Sequence, residues 1–116
     1  MNLPNIDLGA LTDKIAEYAK KAGKVAAKPV LTLFYLLKDP NTPKKDKVII
    51  YAALAYLLLP INFLSAKRFK LLGWADEATA IALTYKKMKD NISPEIEAKV
   101  DAKIREWFPE TDTATE

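Results

Sequence analysis

From Val48 to Ile61 the chain carries no charge and no strongly polar group, fourteen residues in all, and the uncharged stretch continues to Ala66, nineteen residues with Pro60, Asn62 and Ser65 inside. A membrane-spanning helix needs about 20 apolar residues, whereas runs of about 10–14 more often form a buried core helix. Thr42-Pro43 supplies an N-cap and first-turn pair before the run. Pro60 ends it, because proline lacks an N–H and disfavours helix at the preceding residue. Lys44, Lys45 and Lys47 stand on one side and Lys67, Arg68 and Lys70 on the other. Flanks of equal sign assign no transmembrane orientation. The simplest fold that buries such a segment surrounds it with amphipathic helices, and the rest of the chain contains them.

Residues 8–27 read as one amphipathic helix. Leu8, Leu11, Ile15, Tyr18, Ala19, Ala22, Val25 and Ala26 fall on one stripe at helical spacing, with Asp7 as a possible cap. Lys14, Lys20, Lys21, Lys24 and Lys28 fall opposite, with Asp13 and Glu17 among them. Pro29 either breaks this ladder or opens a second helix, in which residues 30–37 are apolar nearly all round. Asp39 to Pro43 is turn chemistry. Residues 61–73 read as irregular or as one short helical piece. Trp74, Ala78, Ile81, Tyr85, Met88 and Ile92 share a face of a helix over 74–92. Ser93-Pro94 starts the last helix, with Ile96, Val100, Ile104, Trp107 and Phe108 on its apolar side and Pro109 as its stop.

No stretch alternates with period two over strand length, and no Asn-Gly or Asp-Gly hairpin signal occurs. The expectation is therefore all-α: a small bundle of four to five helices around a central apolar helix at about 43–59. Residues 1–108 form a single domain, and 109–116 are a disordered acidic tail. With 116 residues, 50% of them hydrophobic, the chain has material for one core.

Several chemistries are excluded by counting. Cysteine and histidine are both absent. That removes disulfides, thiol catalysis, the usual zinc and haem sites, and every Ser-His or Cys-His nucleophile pair. Three scattered glycines cannot form a phosphate loop. Ser65 and Ser93 both read as helix caps. The expectation is a chain without enzymatic activity, cofactor or evident small-molecule substrate. The N-terminus lacks the basic and apolar regions of a signal peptide, which favours the cytoplasm. Nucleic acid is a poor fit: the lysines are dispersed among acids, and the only arginines are Arg68 and Arg105.

The net charge of +3 is uneven. Residues 1–59 hold nine lysines and five acids, giving +4; residues 60–116 hold nine basic and ten acidic residues, giving −1. The 8–27 helix has the charge pattern of an interfacial helix, with Lys14, Lys21 and Lys24 as candidate contacts. It is equally a helix that packs on a bundle with its lysines in water. In the 67–72 segment the cations Lys67, Arg68 and Lys70 alternate with insertable Phe69, Leu71 and Leu72. Asp76 and Glu77 form an adjacent acidic pair. Neighbours on a helix point about 100° apart, so first-turn placement at the positive end of the dipole accounts for the pair more simply than an ion does.

Three segments together resemble the YkvA-like family, a bacterial domain of unknown function: Leu37-Lys38-Asp39-Pro40-Asn41-Thr42-Pro43, Ala55-Tyr56-Leu57-Leu58-Leu59-Pro60-Ile61, and Leu71-Leu72-Gly73-Trp74-Ala75-Asp76-Glu77. The resemblance spans about 36–82 and implies a helical fold, often read as membrane-associated. It departs at the family's acids. Asn62 stands where an acid follows Pro-Ile, and Leu64-Ser65-Ala66 replaces Ile-Pro-Asp. A residual cation site implied by the resemblance would use Asn62, Asp76 and Glu77. The functional expectation is a binding domain peripheral to an anionic membrane surface, on the inner membrane, through residues 8–27 and 67–72. The alternatives are an adaptor for an unidentified protein, or a degenerate cation-binding or enzymatic relative.

Overall fold

Leu11, Ile15 and Ala19 recur every fourth residue, and in the computed structural model they are the buried stripe of helix α1 (Leu8–Ala22). The structure describes residues 8–58 and 76–109. Four further helices follow: α2 (Lys24–Lys38), α3 (Lys44–Leu58), α4 (Glu77–Met88) and α5 (Pro94–Trp107), with a single 3-10 turn, Lys89–Asn91, after α4. The all-helical bundle expected from the sequence is what forms. Among the described residues no helix is long and apolar enough to cross a membrane.

The expected single helix over 8–27 is two helices. The break is at Gly23, which sits at φ 95° and ψ 173°. That conformation is open to glycine and strained for other residues. The Gly23 N–H closes α1 on the Ala19 carbonyl at 2.9 Å, and the Gly23 carbonyl opens α2 by accepting from Ala27 N–H at 3.0 Å. Pro29, read as a boundary, lies inside α2. Proline there, past the first turn, deprives the Val25 carbonyl of its helical donor.

The bundle's hub is α2. It packs against each of the other four helices. Ala27, Val30, Leu31, Thr32, Leu33, Phe34, Leu36 and Leu37 are all buried. Thr32 keeps its hydroxyl satisfied by donating to the Lys28 carbonyl at 2.9 Å. Helix α3, expected at the centre, buries Ile50, Ala53, Leu54 and Ala55 but leaves Ile49, Tyr51, Tyr56, Leu57 and Leu58 only partly covered. It lies against α4, α2 and α1.

Turn and cap chemistry set the helix ends. Asp39 Oδ1 accepts from Asn41 N–H at 3.0 Å, and the Asp39 carbonyl accepts from Thr42 N–H at 3.1 Å. Helix α3 begins one residue later than expected, on the Pro43 carbonyl, which accepts from Asp46 and Lys47 N–H, each at 3.0 Å. Ser93 Oγ accepts from Ile96 N–H at 3.2 Å, and Pro94 takes the first position of α5 as expected. Its buried stripe is Ile96, Val100 and Ile104.

Helix α4 is shorter than the expected 74–92, and its buried face is shifted. Ile81 and Met88 are buried as expected and Ile92 packs on the core, but Ala80 and Thr84 join them while Ala78 is exposed. The Thr84 hydroxyl is buried without a hydrogen-bond partner. Residues 59–75 and the tail from 110 lie outside the described residues, and with them the readings made for the 61–73 segment and the C-terminal tail.

Candidate binding surface

The chain changes direction at Gly23, and its outer side there is basic. Lys20 and Lys21 end α1 and are exposed; Lys28 is exposed and Lys24 half-buried in the first turns of α2. Among the described residues Lys14, Lys20 and Lys21 make no ion pair. Lys38 and Lys103, by contrast, lie on aromatic rings: Lys38 Nζ is 5.2 Å from the Phe34 ring centre, and Lys103 Nζ is 5.8 Å from that of Trp107.

Val25 stands in the middle of this basic elbow, 86% exposed. A continuous helix would have placed it on the apolar stripe expected from the sequence, beside half-buried Tyr18 and exposed Ala22. The break at Gly23 resets the phase. In α2, Val25 shares a side with Thr32 and Leu36, seven and eleven residues on, both buried. The first turn of α2 carries the same apolar side beyond the neighbours that cover it further along.

Beside Val25 opens a groove of about 690 Å³ between α2, α4 and α5. Its apolar lining includes Pro29, Ile81, Ala82, Tyr85 and Ile104, with Tyr18 of α1 at the side. Its charged residues are Lys24, Lys28 and Asp101. Lys28 Nζ and Asp101 Oδ1 are 3.9 Å apart, with both side chains about half or more exposed (61% and 49%). A second cavity, about 660 Å³, lies between the α2–α3 turn and the start of α5. Lys38 and Lys99 face Asp39 and Glu95 there, so its charges balance.

The residues singled out from sequence separate. Lys21 and Lys24 belong to the elbow, on two helices rather than one, while Lys14 is exposed further back along α1. The apolar face that would have entered a bilayer beside them is already used: Leu11, Ile15 and Ala19 are buried in the core. Asn62, Lys67, Arg68, Phe69 and Lys70 lie outside the described residues. Asp76 is the N-cap of α4, with Oδ1 accepting from Thr79 N–H at 2.8 Å. The Thr79 backbone N–H, then the Thr79 side chain, hold its carboxyl below the usual aspartate value. Glu77 is the first residue of α4. Among the described residues no three potential metal-ligating side chains cluster. Sequence reasoning missed the exposure of Val25 and the groove. Gly23 was the available signal for the first, since a glycine inside a helical pattern disfavours continuity.

No family model, no curated protein and no solved structure matches this chain.

Proposed function

We propose that this protein is a non-catalytic helical binding domain that docks on an anionic membrane surface through the α1–α2 elbow. The observation that carries the reading is Val25, an aliphatic side chain 86% exposed among Lys20, Lys21, Lys24 and Lys28. Basic groups near an anionic leaflet contribute about 1 kcal/mol each, within a Debye length. Lys20 and Lys21, both exposed and in no ion pair among the described residues, flank one insertable side chain and favour reversible, salt-sensitive attachment. The burial of Leu11, Ile15 and Ala19 argues against α1 lying in the interface as a free amphipathic helix. The attachment is therefore that of a folded bundle presenting one corner.

Co-sedimentation with vesicles tests the proposal. Binding to phosphatidylglycerol vesicles at low salt, loss of it at high salt, and none to phosphatidylcholine vesicles are expected. Lys20→Glu with Lys21→Glu, both exposed and outside the core, should abolish it. Salt-insensitive binding, or binding unchanged by the double reversal, would overturn the reading. Absence of vesicle binding together with capture of one stoichiometric protein partner would transfer it to the adaptor alternative.

A further inference from the structure

The groove beside the elbow has the features of a ligand site, and its chemistry specifies the ligand class. Its volume, about 690 Å³, is within the range of small-molecule sites, about 300–1,000 Å³. Such sites are mostly apolar with a few convergent polar groups, and this one has that balance. Pro29, Ile81, Ala82 and Ile104 carry no donor or acceptor side chain, and the hydroxyls of Tyr18 and Tyr85 are the uncharged polar side-chain groups of the lining. A peptide laid there in extended form would lose water from more amides than two hydroxyls can pair, at a cost. A hydrocarbon chain leaves nothing unsatisfied.

The charged rim selects the head group. Lys28 stands on the rim of the lining, with Asp101 as its neighbour there. The N-terminus of α2 adds partial positive charge, and Gly23 offers it no side-chain cap. Val25 and Ala26, in that first turn, both line the groove. Lys28 is held by Asp101 only at 3.9 Å and half in solvent, so it can exchange that carboxylate for another.

We infer that this groove binds a single-chain anionic amphiphile, a free medium- to long-chain carboxylate, with its acyl chain against Ile81, Ala82 and Ile104 and its carboxylate at Lys28. The site does not depend on attachment to a membrane, so its test contains no bilayer and its failure leaves the elbow proposal standing.

Dodecanoate below its micellar concentration, titrated into the full chain by calorimetry, should bind one to one and raise the melting temperature. Dodecanol should bind about tenfold or more weakly, as should dodecanoate to Lys28→Gln. Asp101→Asn, by releasing Lys28 from its competitor, should tighten dodecanoate binding a few-fold. A purely structural role for Asp101 would not produce that gain. Ala82→Trp, at an exposed position, should fill the slot and abolish binding; Ala78→Trp, also exposed, is the second blocking variant. Equal affinity for alcohol and carboxylate would remove the head-group assignment. Unchanged affinity in both tryptophan variants, multiple weak sites, or saturable binding of an amphipathic peptide instead of dodecanoate would overturn the inference.

Discussion

Replacing Gly23 by alanine isolates the backbone feature on which the elbow depends. At φ 95° and ψ 173° an L-residue is strained, at a cost of about 1–3 kcal/mol. A Cβ built at Gly23 meets no atom within 4 Å, so the cost comes from the backbone alone and not from a clash. Alanine also stiffens the unfolded chain, which returns about 0.4–1 kcal/mol. The net expectation is destabilisation by roughly 1–2 kcal/mol. For a domain of this size that lowers the melting temperature by about 3–10 °C. Thermal and urea unfolding followed by circular dichroism measure it, and D-alanine at the same position, introduced by semisynthesis, should stabilise instead. The reasoning is refuted if Gly23→Ala raises the melting temperature together with helical signal. That result would mean that 8–38 runs as one continuous helix and that Val25 returns to the α1 stripe.

Three further expectations follow from single residues. Thr84→Val removes a buried hydroxyl that has no partner and should stabilise the fold by about 1 kcal/mol in urea titration; destabilisation would imply that the hydroxyl is bonded. Ser93→Ala removes the acceptor for Ile96 N–H and should cost about 1 kcal/mol, read as a shift in the urea midpoint with unchanged slope. Asp76 has a folded-state pKa below its unfolded value. Its contribution is therefore complete at neutral pH and is lost as the pH falls below the unfolded value and through the folded one, at about pH 4 and lower. Asp76→Asn keeps a capping oxygen, so it should flatten that acid limb with little change at pH 7; an unaltered limb would show that the cap is not made.

The helix class and the last helix were legible because local chemistry decides them. Ser93-Pro94 is an N-cap and first-position pair whatever the surroundings, and Ile96, Val100 and Ile104 need only a core on one side. The elbow was obscured because the apolar period continues unbroken across Gly23. Val25 matches the stripe of a helix that the backbone does not make. Pro29 drew the boundary six residues too far along: a proline inside a helix removes one bond, whereas a glycine at positive φ redirects the chain. The hub was misplaced for a related reason. Hydropathy ranks residues 48–59 above 30–37, but burial depends on how many neighbours surround a helix, and α2 has four. The groove could not be read from any one segment, since α2, α4 and α5 each supply one wall. Ala78 and Ala82 belong to it only because α4 turns Ala80, Ile81 and Thr84 inward.

The absence of native cysteine makes a single introduced thiol the most direct probe of the elbow. Val25→Cys and, on exposed α5, Ala102→Cys would each carry an environment-sensitive fluorophore and be mixed with phosphatidylglycerol vesicles at low salt. A blue shift is expected for the label at position 25, reversed by high salt, and no shift at position 102. A shift at 102 with none at 25, or equal shifts at both, would contradict the claim that the α1–α2 elbow is the surface that meets the membrane.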